Sequence, residues 1–276
     1  MDSRIELNQI REYGARMVSI LGLSSSPVGV RLLPANGKVS AGAERLLQHR
    51  YCQALMKARR GRDVLLDGEG ISCPAAAAAF EFRPLPQGLQ SGQGLVGFGI
   101  VSDSAVGRKM FTDMPRLEPG KIAMLHLFPL EKAEYVPDLV VVEDEVEKLM
   151  WIVLSYLHAK GGQRVQSSTA VLQATCVDST LIPLLEDRLN FGYGCYGCRD
   201  ATDIGNNETV LGFPVRFLPL IVEHLEFLGQ KAIPTSRSKK AWHALQKGKA
   251  SEGCEGKEIG QEGKSRQTET TKEFQD

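Results

Sequence analysis

The chain is expected to fold as an α/β protein, or its mixed α+β variant, in a single compact domain with a disordered C-terminal tail. Three observations carry that expectation. Strand-like runs rich in Val, Leu and Phe alternate with segments whose apolar residues recur every three or four positions. Apolar residues make up 42% of 276, enough to bury a core without disulfide or metal staples. After Thr235 the apolar pattern thins to scattered residues among nine Lys or Arg and seven Asp or Glu. The expected bounds are 1–234 for the globular domain and 235–276 for the tail, with disorder over 250–276 and a short helix near Lys239 to Gln246.

Each element has its own signal. In 4–21, Ile10, Tyr13, Met17, Ile20 and Leu21 share one helical face, and Gly22 ends the run. Residues 27–33 read as a strand. Residues 43–60 read as a helix with Gly61 as its cap. Asp63 to Leu66 is a short strand before the turn Asp67-Gly68-Glu69-Gly70. Pro74 opens a short alanine helix with Ser72 or Cys73 before it. Residues 83–107, rich in Gly and Pro, are expected to be mostly loop. Strands follow at 121–128 and 137–142, then a helix at 143–160 stopped by Gly161-Gly162. Residues 169–185 read as a helix pair broken at Pro183, and 191–199 as a glycine-rich loop. Residues 208–213 form a last strand, and Pro214 opens a last helix.

Charge and composition exclude some functions. Lys+Arg and Asp+Glu each number 33, so the chain lacks the basic excess of a nucleic-acid binder. It shows neither a membrane span nor a signal sequence, which places it in the cytoplasm. In a reducing compartment cysteines that do more than pack are ligands or nucleophiles.

The core cysteines are the main functional signal. Cys195-Tyr196-Gly197-Cys198 puts two thiols three residues apart, a spacing that suits one metal ion, one cluster or a redox dithiol. Gly194 and Gly197 let the backbone turn there. Cys52 and Cys73 are 21 residues apart, and Cys176 and Cys195 are 19 apart. That spacing fits two similar cysteine-containing halves, or two pairs brought together across the core. Cys73, at a helix start, is expected to favour thiolate. His49 lies three residues before Cys52 on the expected helix face. Gly92-Gln93-Gly94-Leu95-Val96-Gly97 matches a dinucleotide motif but lacks the preceding strand.

The order of motifs is familiar. It runs Arg50-Tyr51-Cys52-Gln53-Ala54, Ala58-Arg59-Arg60-Gly61, Ser72-Cys73-Pro74, Pro137-Asp138-Leu139-Val140, Gly194-Cys195-Tyr196-Gly197-Cys198-Arg199 and Glu208-Thr209-Val210-Leu211-Gly212-Phe213-Pro214. Over residues 5–230 the chain resembles the archaeal and bacterial family called domain of unknown function 169. The resemblance implies cysteines at the positions of Cys52, Cys73, Cys176 and Cys195, and reducing or anaerobic hosts.

Two function classes compete. In the first, Cys52, Cys73 and Cys195, with Cys176 or Cys198, hold an iron–sulfur cluster or zinc in a protein that works with a redox partner or cofactor. Arg50 and Arg199 then offset the thiolate charge, and the sulfurs converge. In the second, a metal-free cleft lined by Arg50, Arg60 or Arg199 binds a small anionic molecule, with Cys73 or Cys195 as nucleophile.

Overall fold

The computed structural model describes residues 5–246. By internal contacts the chain divides into Met1–Ile233 and Pro234–Asp276. The first unit begins with α1 (Leu7–Leu21), whose N-terminus is closed by a reciprocal Glu6–Gln9 capping box and whose C-cap is Gly22. Then come β1 (Val28–Leu33), β2 (Glu44–Arg45), α2 (Tyr51–Arg59), β3 (Val64–Asp67) and α3 (Pro74–Ala79). Three short helices follow, α4 (Gln87–Gln90), α5 (Gln93–Gly97) and α6 (Ser104–Thr112). β4 (Met124–Pro129), β5 (Leu139–Glu145) and α7 (Val146–Ala159) lead to a π-helix (Ala174–Leu181) that runs into α8 (Ile182–Glu186). β6 (Asn190–Gly192), α9 (Tyr196–Ala201), β7 (Glu208–Pro214) and α10 (Leu218–Gln230) complete the fold. α11 (Ala232–Ser236) spans the division between units, and α12 (Lys240–Gln246) lies in the second. The expected disorder over 250–276, and Cys254, fall outside the described residues.

The strands make one sheet in the order β2-β3-β4-β1-β5-β7-β6. Only β2 and β3 pair in parallel; the other pairs are antiparallel. The fold is therefore mixed α/β. β5 carries the run Leu139-Val140-Val141-Val142, all buried. Leu139 and Val141 join the core on one face of the sheet, while Val140 and Val142 join the core on the other. A continuous apolar run is the pattern of a strand covered on both faces. α1, α7 and α10 cover one face. α2, α3, the small helices α4 to α6 and the π-helix cover the other.

The structure corrects three sequence expectations. The helix expected over 43–60 begins only at Tyr51. Glu44 and Arg45 instead pair with Val64 and Leu65, and the His49 N–H donates to Gly70 at 3.0 Å. Tertiary pairing overrides helical periodicity there, so His49 and Cys52 do not share a helix face. Residues 83–107 are not mostly loop: α4 and α5 lie within them and α6 begins there, its Asp103 cap accepting the Ala105 N–H at 2.7 Å. The segment after Gln173 is a π-helix, and Pro183 sits in the first turn of α8.

One close approach fixes the π-helix. A Cβ on Gly212 of β7 would lie 1.8 Å from the Ser179 carbonyl oxygen. Only glycine lets the π-helix backbone rest on the strand at that distance. Ser179 Oγ then donates to the Val210 carbonyl at 3.2 Å.

Candidate functional site

All five core cysteines line one cavity of about 330 Å³. Cys52 comes from the first turn of α2 and Cys176 from the π-helix. Cys73 is the N-cap of α3 and Cys195 the N-cap of α9, with Cys198 inside that helix. None of the five is in a disulfide. The two cysteine pairs of the sequence thus meet over one face of the sheet.

α9 is positioned by α2. The Arg50 Nη1 donates to the Gly197 carbonyl at 2.7 Å. Gln53 Nε2 donates to the Ala201 carbonyl at 3.1 Å. Gly194 turns the chain into α9 with a positive φ of 75°, and a Cβ there would lie 2.9 Å from Ile204 Cδ1. Cys195 Sγ accepts the Cys198 N–H at 3.2 Å, and the two sulfurs are 3.0 Å apart. Cys198, only 3% exposed, also meets the Thr175 hydroxyl at 3.1 Å and hydrogen-bonds Cys52.

Four of the thiols, those of Cys73, Cys176, Cys195 and Cys198, are pushed above their ordinary range. The Cys195 thiol is raised well above its ordinary range, first by its hydrogen bond to Cys198 and then by burial. At Cys198 the bond from Cys195 works against the rise, but a hydrogen bond to Cys52 and burial push the group up to about 12. Burial raises Cys176 and Cys73. The expectation that Cys73 favours thiolate is therefore corrected: desolvation outweighs the nearby Ala76 N–H.

Among the predicted arginines only Arg50 reaches the cavity. Arg60 pairs with Asp203 on the surface. Arg199 clasps its own loop, donating to the carbonyls of Gly205, Tyr193 and Glu208. Gly197 lines the cavity and Gly194 does not. Arg59 is buried, with Glu143, Asp203 and Glu208 around it. Burial, opposed by Arg59 and helped by Glu208 and Asp203, pushes the Glu143 carboxyl up to about 7.

Sequence reasoning missed the rest of the lining. Leu89, Leu95, Phe98, Ile100 and Phe111 from the α4–α6 segment, with Leu172, give the cavity an apolar wall. The Asp103 cap was a usable signal for α6. Gln173 and Thr175 carry no motif that marks them. Among the described residues, no group of three or more His, Cys, Asp or Glu side chains is arranged to hold a metal ion. No described helix is long and apolar enough to cross a membrane.

A seven-stranded mixed sheet carrying a five-thiol cavity on one face defines the class of protein. Within that class, the profile of the DUF169 family, described as uncharacterised ArCR, COG2043, matches residues 16–224. The chain belongs to this family. It is 28% identical over 229 residues to the uncharacterized protein MJ0308 of Methanocaldococcus jannaschii, covering 82% of this chain and 97% of the relative. No solved structure matches the chain.

Proposed function

We propose that the cavity is a thiolate site for an iron–sulfur cluster, in a protein with a redox or cofactor-related role. The observation that carries this reading is the gathering of five thiols, from four separate segments, around one cavity. Soft thiolate sulfur is the donor such clusters take, in sets of four. The ligand sulfurs of one tetrahedral zinc would stand about 3.8 Å apart around bonds of ~2.3 Å. The cysteines are not gathered around one such point. In a four-iron cluster each thiolate binds its own iron, so its ligand sulfurs stand further apart than those around one zinc.

The chain's own groups fit the charge. Arg50 stands at the cavity with its Nη1 fixed on Gly197, and it offsets part of the negative charge of four thiolates. The neutral thiols must lose protons on loading, so loading is favoured as pH rises. The cluster would supply one-electron redox chemistry there. We assign the ligands as Cys52, Cys73, Cys176 and Cys195. Cys198, the least exposed of the five, is the neighbour that donates rather than ligates.

The test is anaerobic reconstitution of the full chain with iron and sulfide, repeated with each cysteine changed to Ser. Cys52→Ser, Cys73→Ser, Cys176→Ser and Cys195→Ser are each expected to lose bound iron and sulfide, and Cys198→Ser to keep most of both. Equal retention in all five variants would defeat the reading.

A second reading has one observation in its favour. Arg50 Nε and Nη2 make no hydrogen bond among the described residues, so the guanidinium can receive a small anionic molecule in a metal-free cavity. In that reading the raised thiols oppose a nucleophilic role. Binding of a simple carboxylate to protein free of iron, abolished by Arg50→Met, would support it over the first.

A further inference from the structure

Two cavities meet at Gln173. The thiol cavity lies on one side. A second cavity of about 410 Å³, lined in part by Lys109, Met110, Thr169, Val177 and Asp178, lies on the other, and Gln173 borders both. Gln173 is 7% exposed. Its backbone sits in the left-handed region at φ 58°, which few residues other than glycine adopt. Its carboxamide makes no hydrogen bond among the described residues. Neither side-chain polar atom of Gln173 is among the fully buried unpartnered ones, so the carboxamide opens onto cavity space with its donor and acceptor free to meet a ligand.

Other residues of the same cavity supply the rest of the description. Leu95 and Phe111 are buried, and Phe98 is 71% exposed at the same cavity. These side chains offer flat apolar surface and nothing to hydrogen-bond. A carboxamide offers one donor and one acceptor side by side, and it pairs bidentately with a heterocycle edge that presents the complement. Aromatic side chains stack on the face of such a ring.

We infer that the thiol cavity binds a planar nitrogen heterocycle. Its faces lie against Leu95, Phe98 and Phe111, and its donor–acceptor edge lies on Gln173. The site rests on Gln173 and the apolar wall, not on the sulfurs. Arg50, at the same cavity, would take an anionic substituent of the ring.

Fluorescence titration of the full chain tests this, with lumazine and 2-aminopurine as heterocycles carrying the edge and naphthalene as a flat ring without it. Both heterocycles are expected to bind at least about tenfold more tightly than naphthalene. Gln173→Met keeps the length and removes the amide. It is expected to weaken heterocycle binding about tenfold and leave naphthalene binding unchanged. Phe98→Ala, at an exposed position that folding does not need, is expected to weaken all three probes. Equal affinity for naphthalene and the heterocycles would overturn the inference. So would unchanged heterocycle binding in either variant, or no binding of any probe to wild type. Iron and sulfide are measured on the same samples, so failure of the heterocycle site and failure of the cluster are read separately.

Discussion

The helices on one face of the sheet are long and regular: α1 has 15 residues, α7 has 14 and α10 has 13. Their shared core is apolar, with Met17, Ile152, Ile221 and Leu225 fully buried against Val140, Val142, Leu211 and Phe213. On the other face no described helix exceeds nine residues. That face holds all five core cysteines, the π-helix and the thiol cavity. The buried polar residues Thr175, Asp178, Ser179 and Thr180 lie in the π-helix itself. The first face is built for packing. The second accepts short helices and an irregular hydrogen-bond ladder, which are recurrent marks of a functional site. Stability and chemistry are assigned to opposite sides of one sheet.

A substitution on the packing face tests this division with the largest effect. Leu225→Ala empties a fully buried site in α10 and is expected to cost about 2–5 kcal/mol. Urea denaturation measures that loss. Iron and sulfide bound per folded chain should stay unchanged, and a parallel loss of iron would break the division.

Gly212→Ala strikes where the two layers communicate. Its Cβ would collide with the Ser179 carbonyl, so the π-helix must move. The expected cost is roughly 1–3 kcal/mol. Unlike Leu225→Ala, it should also speed alkylation of Cys176 in the folded protein, followed by mass spectrometry.

Asp178 sharpens the comparison through pH. Burial pushes its carboxyl up to about 7, against the hydrogen bond from Thr169. From about pH 4, the ordinary carboxylate range, up to that value the unfolded chain has released the proton and the folded chain keeps it. Stability therefore falls as pH rises through this window and levels off above it. Glu143, also pushed up to about 7, adds to the same fall. Asp178→Asn should flatten its share of the slope and raise stability at pH 8 by on the order of 2 kcal/mol. Denaturation midpoints at pH 5 and pH 8 decide it; an unaltered slope would mean that Asp178 is ionised in the folded protein.

The smallest effect is expected at Cys198. Changing Cys198→Ser keeps a donor beside Thr175 and Cys195, and should shift the denaturation midpoint by about 1 kcal/mol or less. A shift as large as that of Leu225→Ala would move Cys198 from the site to the packing core.

Much of the packing face was legible in the sequence, and less of the thiol face. Ile10, Met17 and Leu21 fall on one helical face, and Leu139 to Val142 read as strand, because burial against a flat partner imposes a simple period. The cysteines were legible as a set, since their residue type carries the chemistry. Their architecture was not. Residues 43–50 pair through β2 by a tertiary contact with β3 that no local period encodes. The π-helix uses Ala, Thr, Cys and Ser, which carry no distinctive signal, and its seat depends on Gly212 more than 30 positions later. Arg60 and Arg199 looked like ligand arginines because charge alone cannot distinguish a cleft from a loop clasp. Gln173 was invisible, because what matters there is the absence of a partner.

The most direct test of the thiolate assignment is the iron and acid-labile sulfide content of the full chain purified without oxygen, read beside its visible spectrum. Iron and sulfide in equal amounts, with broad visible absorbance, is the predicted result. Colourless protein free of iron, or protein holding zinc alone, would contradict it.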